Sequence, residues 1–233
     1  SSEVCLNGIA TLLEATHQNG SGTPIFQWFS NTVDVNSDGT AITNAINNTY
    51  NPPTSVVGET FYYLEITFSG GGCNLIKSNT ASVKVADQAS VNNLTALQTV
   101  CVGSTANELD IEVIGGAGNP SYQWFVNTIN TNTGGFKIED ETSKTYQPTS
   151  YSVAGSYYYY IEISFDGNDC SNAISDVFQV DVAESLIIDT QPIVSQEICQ
   201  NASPTNLSVA VSGGTNSAKE YQFWWIRNYW TRF

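Results

Sequence analysis

The sequence has little positive charge. It contains seven lysines and arginines against 22 aspartates and glutamates, which gives a formal net charge of −15, and its first arginine is Arg227. Proteins that bind nucleic acids need clustered Lys and Arg to neutralise phosphates. The composition therefore predicts no nucleic-acid partner. An acidic surface of this kind is typical of proteins that stay soluble in salt.

Long apolar runs and catalytic signatures are also missing. No stretch approaches the roughly 18 continuous apolar residues of a membrane helix, so we expect no membrane span. The one histidine, His17, falls at an apolar strand position, and the sequence lacks the serine-hydrolase, zinc-protease, P-loop and dinucleotide signatures. A glycosidase needs two carboxylates in one cleft, whereas each repeat contributes one, Glu65 or Glu162. We expect no catalytic residues and no enzyme activity.

The sequence instead repeats itself with a period of about 97 residues, the sign of a tandem array. A third copy begins at Cys199. We therefore predict an Ig-like module 1 at residues 1–87 with a truncated first strand, a module 2 at 88–184, and a partial module 3 at 185–233. This pattern predicts an internal piece of a longer protein. The matched positions are Cys5, Trp28, Tyr50, Gly58, Glu65 and Cys73, which return as Cys101, Trp124, Tyr146, Gly155, Glu162 and Cys170.

Strand signals dominate each module. Apolar residues alternate with polar ones, as in Leu109, Ile111 and Val113, which is typical of strands with one buried face. About seven short strands separated by turns predict an all-β fold, with each module an immunoglobulin-like β-sandwich. Trp28 and Trp124 would be the buried tryptophans of strand C.

Each complete module carries two cysteines, a regular usage that indicates disulfides in an exported protein. The preferred pairing is Cys5–Cys73 and Cys101–Cys170, with the partner of Cys199 beyond the sequence. In an Ig-type strand order, however, the two cysteines of one module lie in loops at opposite ends of the sandwich. Tandem stacking would then bring Cys5 near Cys170 and bond the joint between modules. The sequence leaves both pairings open.

Residues 190–215, the segment YQWF at 122–125 and the aromatic strands after Gly58 and Gly155 carry a family resemblance. Together they resemble the tandem Ig-like repeats of large Bacteroidetes cell-surface adhesins of the SprB gliding-motility type. The resemblance covers all but the last dozen residues. It implies type IX secretion, a filament at the bacterial outer membrane surface, and cell adhesion during gliding. The partners it implies are neighbouring repeats, surface glycans and the secretion and motility machinery.

One turn matches the opening of a calcium-binding loop. Asp34, Asn36 and Asp38, followed by Gly39, follow the pattern D-x-N-x-D-G. The twelfth position is Ala45, where a bidentate glutamate is needed, and the equivalent segment of module 2 (130–135) has no carboxylate. A turn between strands explains the segment more simply. We therefore expect no cofactor, and Ca²⁺ is the one candidate metal.

A second candidate site is the outer face of the sheet that carries strands C and F. If Tyr62, Leu64 and Ile66 point inward, their neighbours point outward. Exposed aromatics beside a carboxylate can stack on sugar rings, although cross-strand aromatic pairs also simply stabilise sheets. The alternative to an adhesin stalk is therefore an accessory glycan-binding repeat of a secreted polysaccharide-degrading enzyme. The candidate face comprises Phe29, Tyr63, Glu65, Phe125, Tyr158, Tyr160 and Glu162.

The last 11 residues, 223–233, break the repeat pattern. They contain three of the five tryptophans and both arginines. A cation–aromatic patch is one interpretation, and an altered or non-native terminus is the one we prefer. We assign this segment no function.

Overall fold

A computed structural model describes residues 1–70, 75–167 and 169–214. These residues fold into strands, which confirms the prediction of an all-β protein. Within these ranges no helix is long and apolar enough to cross a membrane. The strands are β1 (Ser2–Cys5), β2 (Leu13–Glu14), β3 (Pro24–Asn31), β4 (Thr40–Ala41), β5 (Thr49–Tyr50), β6 (Gly58–Phe68), β7 (Ile76–Lys77), β8 (Ala81–Ala86), β9 (Ser90–Asn93), β10 (Gln98–Cys101), β11 (Ile111–Ile114), β12 (Pro120–Asn127), β13 (Phe136–Lys137), β14 (Gly155–Phe165), β15 (Ala173–Ile174), β16 (Phe178–Ala183), β17 (Ile187–Thr190) and β18 (Ala210–Ser212).

The strand order is that of an immunoglobulin-like sandwich. One sheet of module 1 has the order β1-β8-β6-β3-β4, with β7 beside β6, and a short β2–β5 pair forms the second sheet. In module 2 the order is β10-β16-β14-β12-β13, with β15 beside β14, and β11 pairs with β9. Strands β8, β6, β3 and β4 correspond to strands G, F, C and C′ of a variable-type domain. The first strand, β1, runs parallel to β8. The fold prediction is confirmed.

The core of module 1 forms between its two sheets. Trp28, Tyr62 and Leu64 from the large sheet are at most 4% exposed, and Leu13 and Tyr50 from the small sheet pack against them. The buried Trp28 indole donates a hydrogen bond to the Asn47 carbonyl oxygen at 2.9 Å, which satisfies its one polar group. The predicted inward row of strand F is therefore confirmed.

Module 2 repeats this arrangement around Trp124. This residue is fully buried, and its indole donates to the Ser143 carbonyl oxygen at 2.9 Å. Outside the named strands, Leu109 forms an isolated antiparallel bridge to Tyr146. The prediction that both strand C tryptophans lie in the core is confirmed.

The chain divides into two compact units. The first unit comprises Ser1–Ala96, Glu108–Tyr146 and Tyr158–Phe178, and the second comprises Leu97–Asn107, Gln147–Tyr157 and Gln179–Phe233. The first unit thus holds module 1 together with β9, β11, β12, β13, β15 and most of β14. The second holds β10, β17, β18 and most of β16.

Candidate functional site

The strand order places Cys5 at one end of the large sheet of module 1. Cys5 ends β1 and lies beside Ala86, the last residue of β8. Strand β6 begins at the same end, since Gly58 pairs with Val85. Strand β6 has 11 residues, so its other end lies about 33 Å away at about 3.3 Å per residue.

Cys5 forms a disulfide with Cys170, which follows strand β14 of module 2. Their Cα atoms are 5.0 Å apart, within the normal range for a disulfide, and Cys5 is fully buried. The preferred pairing, Cys5–Cys73 and Cys101–Cys170, is therefore wrong, and the bond is the alternative one across the joint. The physical reason is the length of β6, because its far end lies a full strand length from Cys5. Cys73 itself lies outside the described residues.

Hydrogen bonds between side chains and backbone accompany the disulfide, within the first unit. The backbone N–H of Ile9 donates to Asp169 Oδ2 at 2.6 Å. Gln88 links both sides, since its Nε2 donates to the Leu6 carbonyl oxygen at 3.0 Å and its Oε1 accepts from the Ser171 N–H at 2.9 Å. We call residues 5–9, 87–88, 115–117 and 169–171 the first joint. Its contacts combine a covalent bond with side-chain-to-backbone hydrogen bonds.

Glycines allow the close backbone approach at the first joint. Gly115 and Gly116 have φ values of +74° and +82°, a region that favours glycine. The Gly116 N–H donates to the Asp87 carbonyl oxygen at 2.9 Å. A Cβ on Gly115 would lie 2.7 Å from the Gln88 carbonyl oxygen, and one on Gly8 would lie 2.8 Å from Asp169 Cβ. Side chains at either glycine would therefore force the backbone segments apart.

The second unit repeats these contacts where module 3 follows module 2. The Gly214 N–H donates to the Glu184 carbonyl oxygen at 2.6 Å, and the Ser185 hydroxyl donates to the Val102 carbonyl oxygen at 3.1 Å. Gly213 has a φ of +82°. We call residues 102, 184–185 and 213–214 the second joint. The sequence predicted the Cys5–Cys170 bond only as an alternative and did not identify the other residues of the two joints, although the Gly-Gly pairs after β11 and β18 mark them.

The candidate glycan face is present but its central tyrosines are covered. Phe29 stacks on Tyr63 with ring centroids 5.1 Å apart, and Phe125 stacks on Tyr160 at 5.0 Å. Tyr63 is 1% exposed and Tyr160 is 2% exposed. The expectation that these two rings are exposed is therefore wrong. Their stacked pairs stabilise the sheet as cross-strand neighbours.

The turn after strand C covers both tyrosines. The Gly39 N–H donates to the Tyr63 hydroxyl oxygen at 3.1 Å, and the Gly135 N–H donates to that of Tyr160 at the same distance. A Cβ on Gly39 or Gly135 would lie 2.8 Å from the ring below it. Glycine lets the turn lie directly on the ring, which leaves no room there for a sugar.

The carboxylates of this face differ between the modules. Glu65 forms an ion pair with Lys77 at 2.7 Å, and the Lys77 Nζ also lies 5.5 Å from the Tyr63 ring centroid. The hydrogen bond that Lys77 donates to the Glu65 carboxylate raises the pKa of Lys77. In module 2, Glu162 is in register with Ile174 instead of a lysine. Tyr158, which lies on β14 with Glu162, is half-buried.

The predicted calcium turn is held by protein groups. Asn31 Nδ2 donates to the carbonyl oxygens of Val35 at 3.4 Å and Ser37 at 3.0 Å. Asp34 accepts a hydrogen bond from the Thr80 hydroxyl. Elsewhere on the turn, Asn36 donates to the Ser78 carbonyl oxygen at 2.9 Å and Asp38 is exposed.

Module 2 forms the same turn around Asn127, although the turn has no carboxylate there. Asn127 Nδ2 donates hydrogen bonds to the carbonyl oxygens of Thr131 and Thr133. Over residues 1–70, 75–167 and 169–214, no group of three His, Cys, Asp or Glu side chains is placed to hold a metal. The calcium site stays a prediction.

Comparison with known proteins gave a family and several structural likenesses. The model of a family described as a domain of unknown function (DUF8696) matches residues 1–87 and, a second time, residues 90–184. No curated protein matches the chain.

Among solved structures, three N-terminal domains of the bacteriophage RB49 outer capsid protein Hoc are 15% identical over 94% of this chain and 68% of that one, with a TM-score of 0.47. Sidekick-1 immunoglobulin domains 1–5 are 17% identical over 91% of this chain and 43% of that one, with a TM-score of 0.42. The four N-terminal Ig domains of Dscam1 isoform 6.9 are 18% identical over 77% of this chain and 42% of that one, also with a TM-score of 0.42. The chain thus spans about two fifths of the Sidekick-1 and Dscam1 structures. The strand order and the core contacts establish the immunoglobulin-like fold.

Proposed function

The chain belongs to the DUF8696 family, and from that premise we propose that it is a non-catalytic stalk segment of a large exported cell-surface adhesin. Its Ig-like modules would act in series to hold an adhesive region away from the cell. Adhesion to a surface, and gliding over it, would be the processes that the stalk serves. Export by type IX secretion and a position at the bacterial outer membrane belong to the same proposal.

The observation that carries this proposal is the disulfide between Cys5 and Cys170. It closes a loop of 165 residues, which by chain entropy stabilises the folded state by about 5 kcal/mol. The loop contains parts of both modules, so neither can be extended fully, and the two cannot be pulled apart, while the bond is closed. A stalk under traction needs this property, and disulfides persist mainly in oxidising compartments outside the cytoplasm.

The environment of the one histidine also supports a non-catalytic role. His17 lies edge-on to Phe26 and Phe68, with ring centroids 5.8 Å and 5.5 Å away. Contacts of this kind belong to packing at the rim of a core. A general base would instead need a polar partner and access to a substrate.

Protease treatment of intact source cells tests the location of the protein. After treatment, the cell proteins are separated on a denaturing gel and probed with an antibody against residues 88–184. A very large band that disappears on treatment supports a surface adhesin. A modest-sized band found only in the medium contradicts it and favours the accessory repeat of a secreted polysaccharide-degrading enzyme.

Deletion of one whole module separates a spacer from a ligand-binding repeat. Removal of residues 88–184 keeps the register of the array, because it removes one period. A spacer predicts that attachment of cells to a surface falls with the number of modules removed, whichever modules they are. Loss of attachment on a Phe29→Ala or Phe125→Ala change in an intact array would contradict the spacer and indicate glycan binding through the aromatic face.

A further inference from the structure

We propose that Cys101 forms the same disulfide with the module that follows module 2, so that successive joints of the array are bonded one after another. The bond would join Cys101 to the second cysteine of that module, as Cys5 joins Cys170. This inference goes beyond the proposed function, and it holds for any protein that contains the array.

Cys101 has the same backbone frame as Cys5. Cys101 ends β10 beside Ala183, as Cys5 ends β1 beside Ala86. The next N–H, that of Val102, donates to the Ala183 carbonyl oxygen at 2.9 Å, and the matching bond in module 1 is 2.8 Å long. The backbone turn that follows is also shared, since the N–H three residues after each cysteine donates to the carbonyl oxygen of that cysteine. The two sulfur atoms are therefore presented from equivalent positions.

The second joint already has the register of the first. Gly214 reaches the Glu184 carbonyl oxygen as Gly116 reaches that of Asp87. Ser185 binds the Val102 carbonyl oxygen as Gln88 binds that of Leu6. These contacts connect the start of module 3 to module 2 in the way that the start of module 2 is connected to module 1. In the first joint, this register brings the second cysteine of the later module to the first cysteine of the earlier one.

Cys101 lacks a bond in the described part of the chain. It is a half-buried free thiol, whereas Cys5 is fully buried in its disulfide. Modules 1 and 2 place their second cysteine 68 or 69 residues after the first. Counted from Cys199, the matching position falls outside this sequence of 233 residues. The partner we infer is therefore a cysteine of the full-length protein.

Bond formation follows ordinary thiol–disulfide exchange. The thiolate of one cysteine attacks a disulfide oxidant, either a protein or a small molecule, and forms a mixed disulfide. The second cysteine, as its thiolate, then displaces the reduced oxidant. Two thiols thus lose two electrons and two protons, and the oxidant leaves as two thiols. The Cys5–Cys170 bond requires the same oxidant.

The test is a disulfide map of the full-length protein from source cells. Free thiols are alkylated with iodoacetamide before any reduction, and the proteolytic peptides are identified by mass spectrometry. We expect the Cys101 peptide to be linked to a peptide with the second cysteine of the following module. In the chain of 233 residues, Cys101 should be alkylated instead. Alkylated Cys101 in the full-length protein, or Cys101 bonded to Cys73 or Cys199, would overturn the proposal.

Matched variants of the full-length protein test the pairing without relying on one peptide. In Cys101→Ser, the second cysteine of the following module should become alkylated, while the Cys5–Cys170 peptide stays linked. The control Cys5→Ser should free Cys170 and leave the Cys101 bond intact. A following-module cysteine that stays linked in Cys101→Ser contradicts the proposal. A location other than the cell surface would overturn the proposed adhesin without changing this map.

Discussion

Pulling the chain from its two ends should extend only the residues outside the loop that Cys5–Cys170 closes. The disulfide spans 165 residues. A fully extended chain reaches about 3.3–3.6 Å per residue, so the closed bond prevents about 580 Å of contour length from being extended. The whole chain of 233 residues would reach roughly 800 Å when reduced. Most of the extension is therefore unavailable while the bond is closed.

Single-molecule force spectroscopy measures this length directly. The chain is held by handles at residues 1 and 233 and stretched before and after the addition of a reductant. The oxidised chain should release about 580 Å less contour length than the reduced chain. Cys5→Ser should give the longer release without reductant. Cys101→Ser is the matched control, because it removes the equivalent cysteine of module 2 and should leave the short release unchanged.

Equal contour lengths with and without reductant would refute the reasoning. That result would mean that no disulfide spans the two modules. A difference of roughly 480 Å, for the 68 and 69 residues between the cysteines of modules 1 and 2, would instead indicate the pairing within modules. The measurement therefore distinguishes the two connectivities by length alone.

Three further predictions concern the core, the first joint and the calcium turn. Burial, followed by the nearby Tyr159 and Glu141, raises the pKa of Tyr146 to about 12. The raised pKa contributes stability that is complete below pH 10 and is lost as the pH rises toward 12, so the free energy of unfolding should fall by about 2–3 kcal/mol over that range. Tyr146→Phe should remove this part of the fall in a denaturant titration; an unchanged slope would contradict it. Gly115→Ala should lower the melting temperature more than Gly134→Ala, because both have positive φ but only Gly115 faces a backbone oxygen at 2.7 Å; equal losses would refute the contact. If the Asp34 turn binds Ca²⁺, chelation should lower the melting temperature of module 1 more than that of module 2, and no effect would remove the calcium site.

Local sequence patterns predicted the features that one module determines by itself. The alternation around Tyr62, Leu64 and Ile66 identified the buried row of strand F, because successive side chains of a strand point to opposite faces. All three are at most 4% exposed. Trp28 and Trp124 were identified from the immunoglobulin-like pattern, as the buried tryptophans of strand C.

The same alternation could not predict what covers the outer face. It placed Tyr63 and Tyr160 opposite the core row, and they do stack on Phe29 and Phe125. Their burial depends on the turn after strand C, which folds onto the rings through Gly39 and Gly135. A strand pattern gives the side of the sheet on which a residue lies, whereas its exposure depends on segments that are distant in the sequence.

The disulfide pairing depends on contacts between modules and so lies beyond any pattern within one of them. Two cysteines in each module suggest a bond inside the module, and the strand order argues against it only through the length of β6. The choice is decided where Gln88, Asp169 and Gly116 bring module 2 against the end of module 1. Those residues look like ordinary loop and turn residues in the sequence.

Bonds at successive joints would change how the array carries tension. From Cys5 the covalent path crosses to Cys170 and then follows only 29 residues to Cys199, where the next bond begins. Fully extended, those residues reach about 100 Å, whereas two unbonded modules of about 97 residues each would reach roughly 680 Å. A second covalent path, through Cys101 and its inferred partner in the following module, would run beside the first and would limit extension in the same way. An array built like this would hold its length even when its modules unfold, because the limit is set by covalent bonds and not by the stability of any one fold.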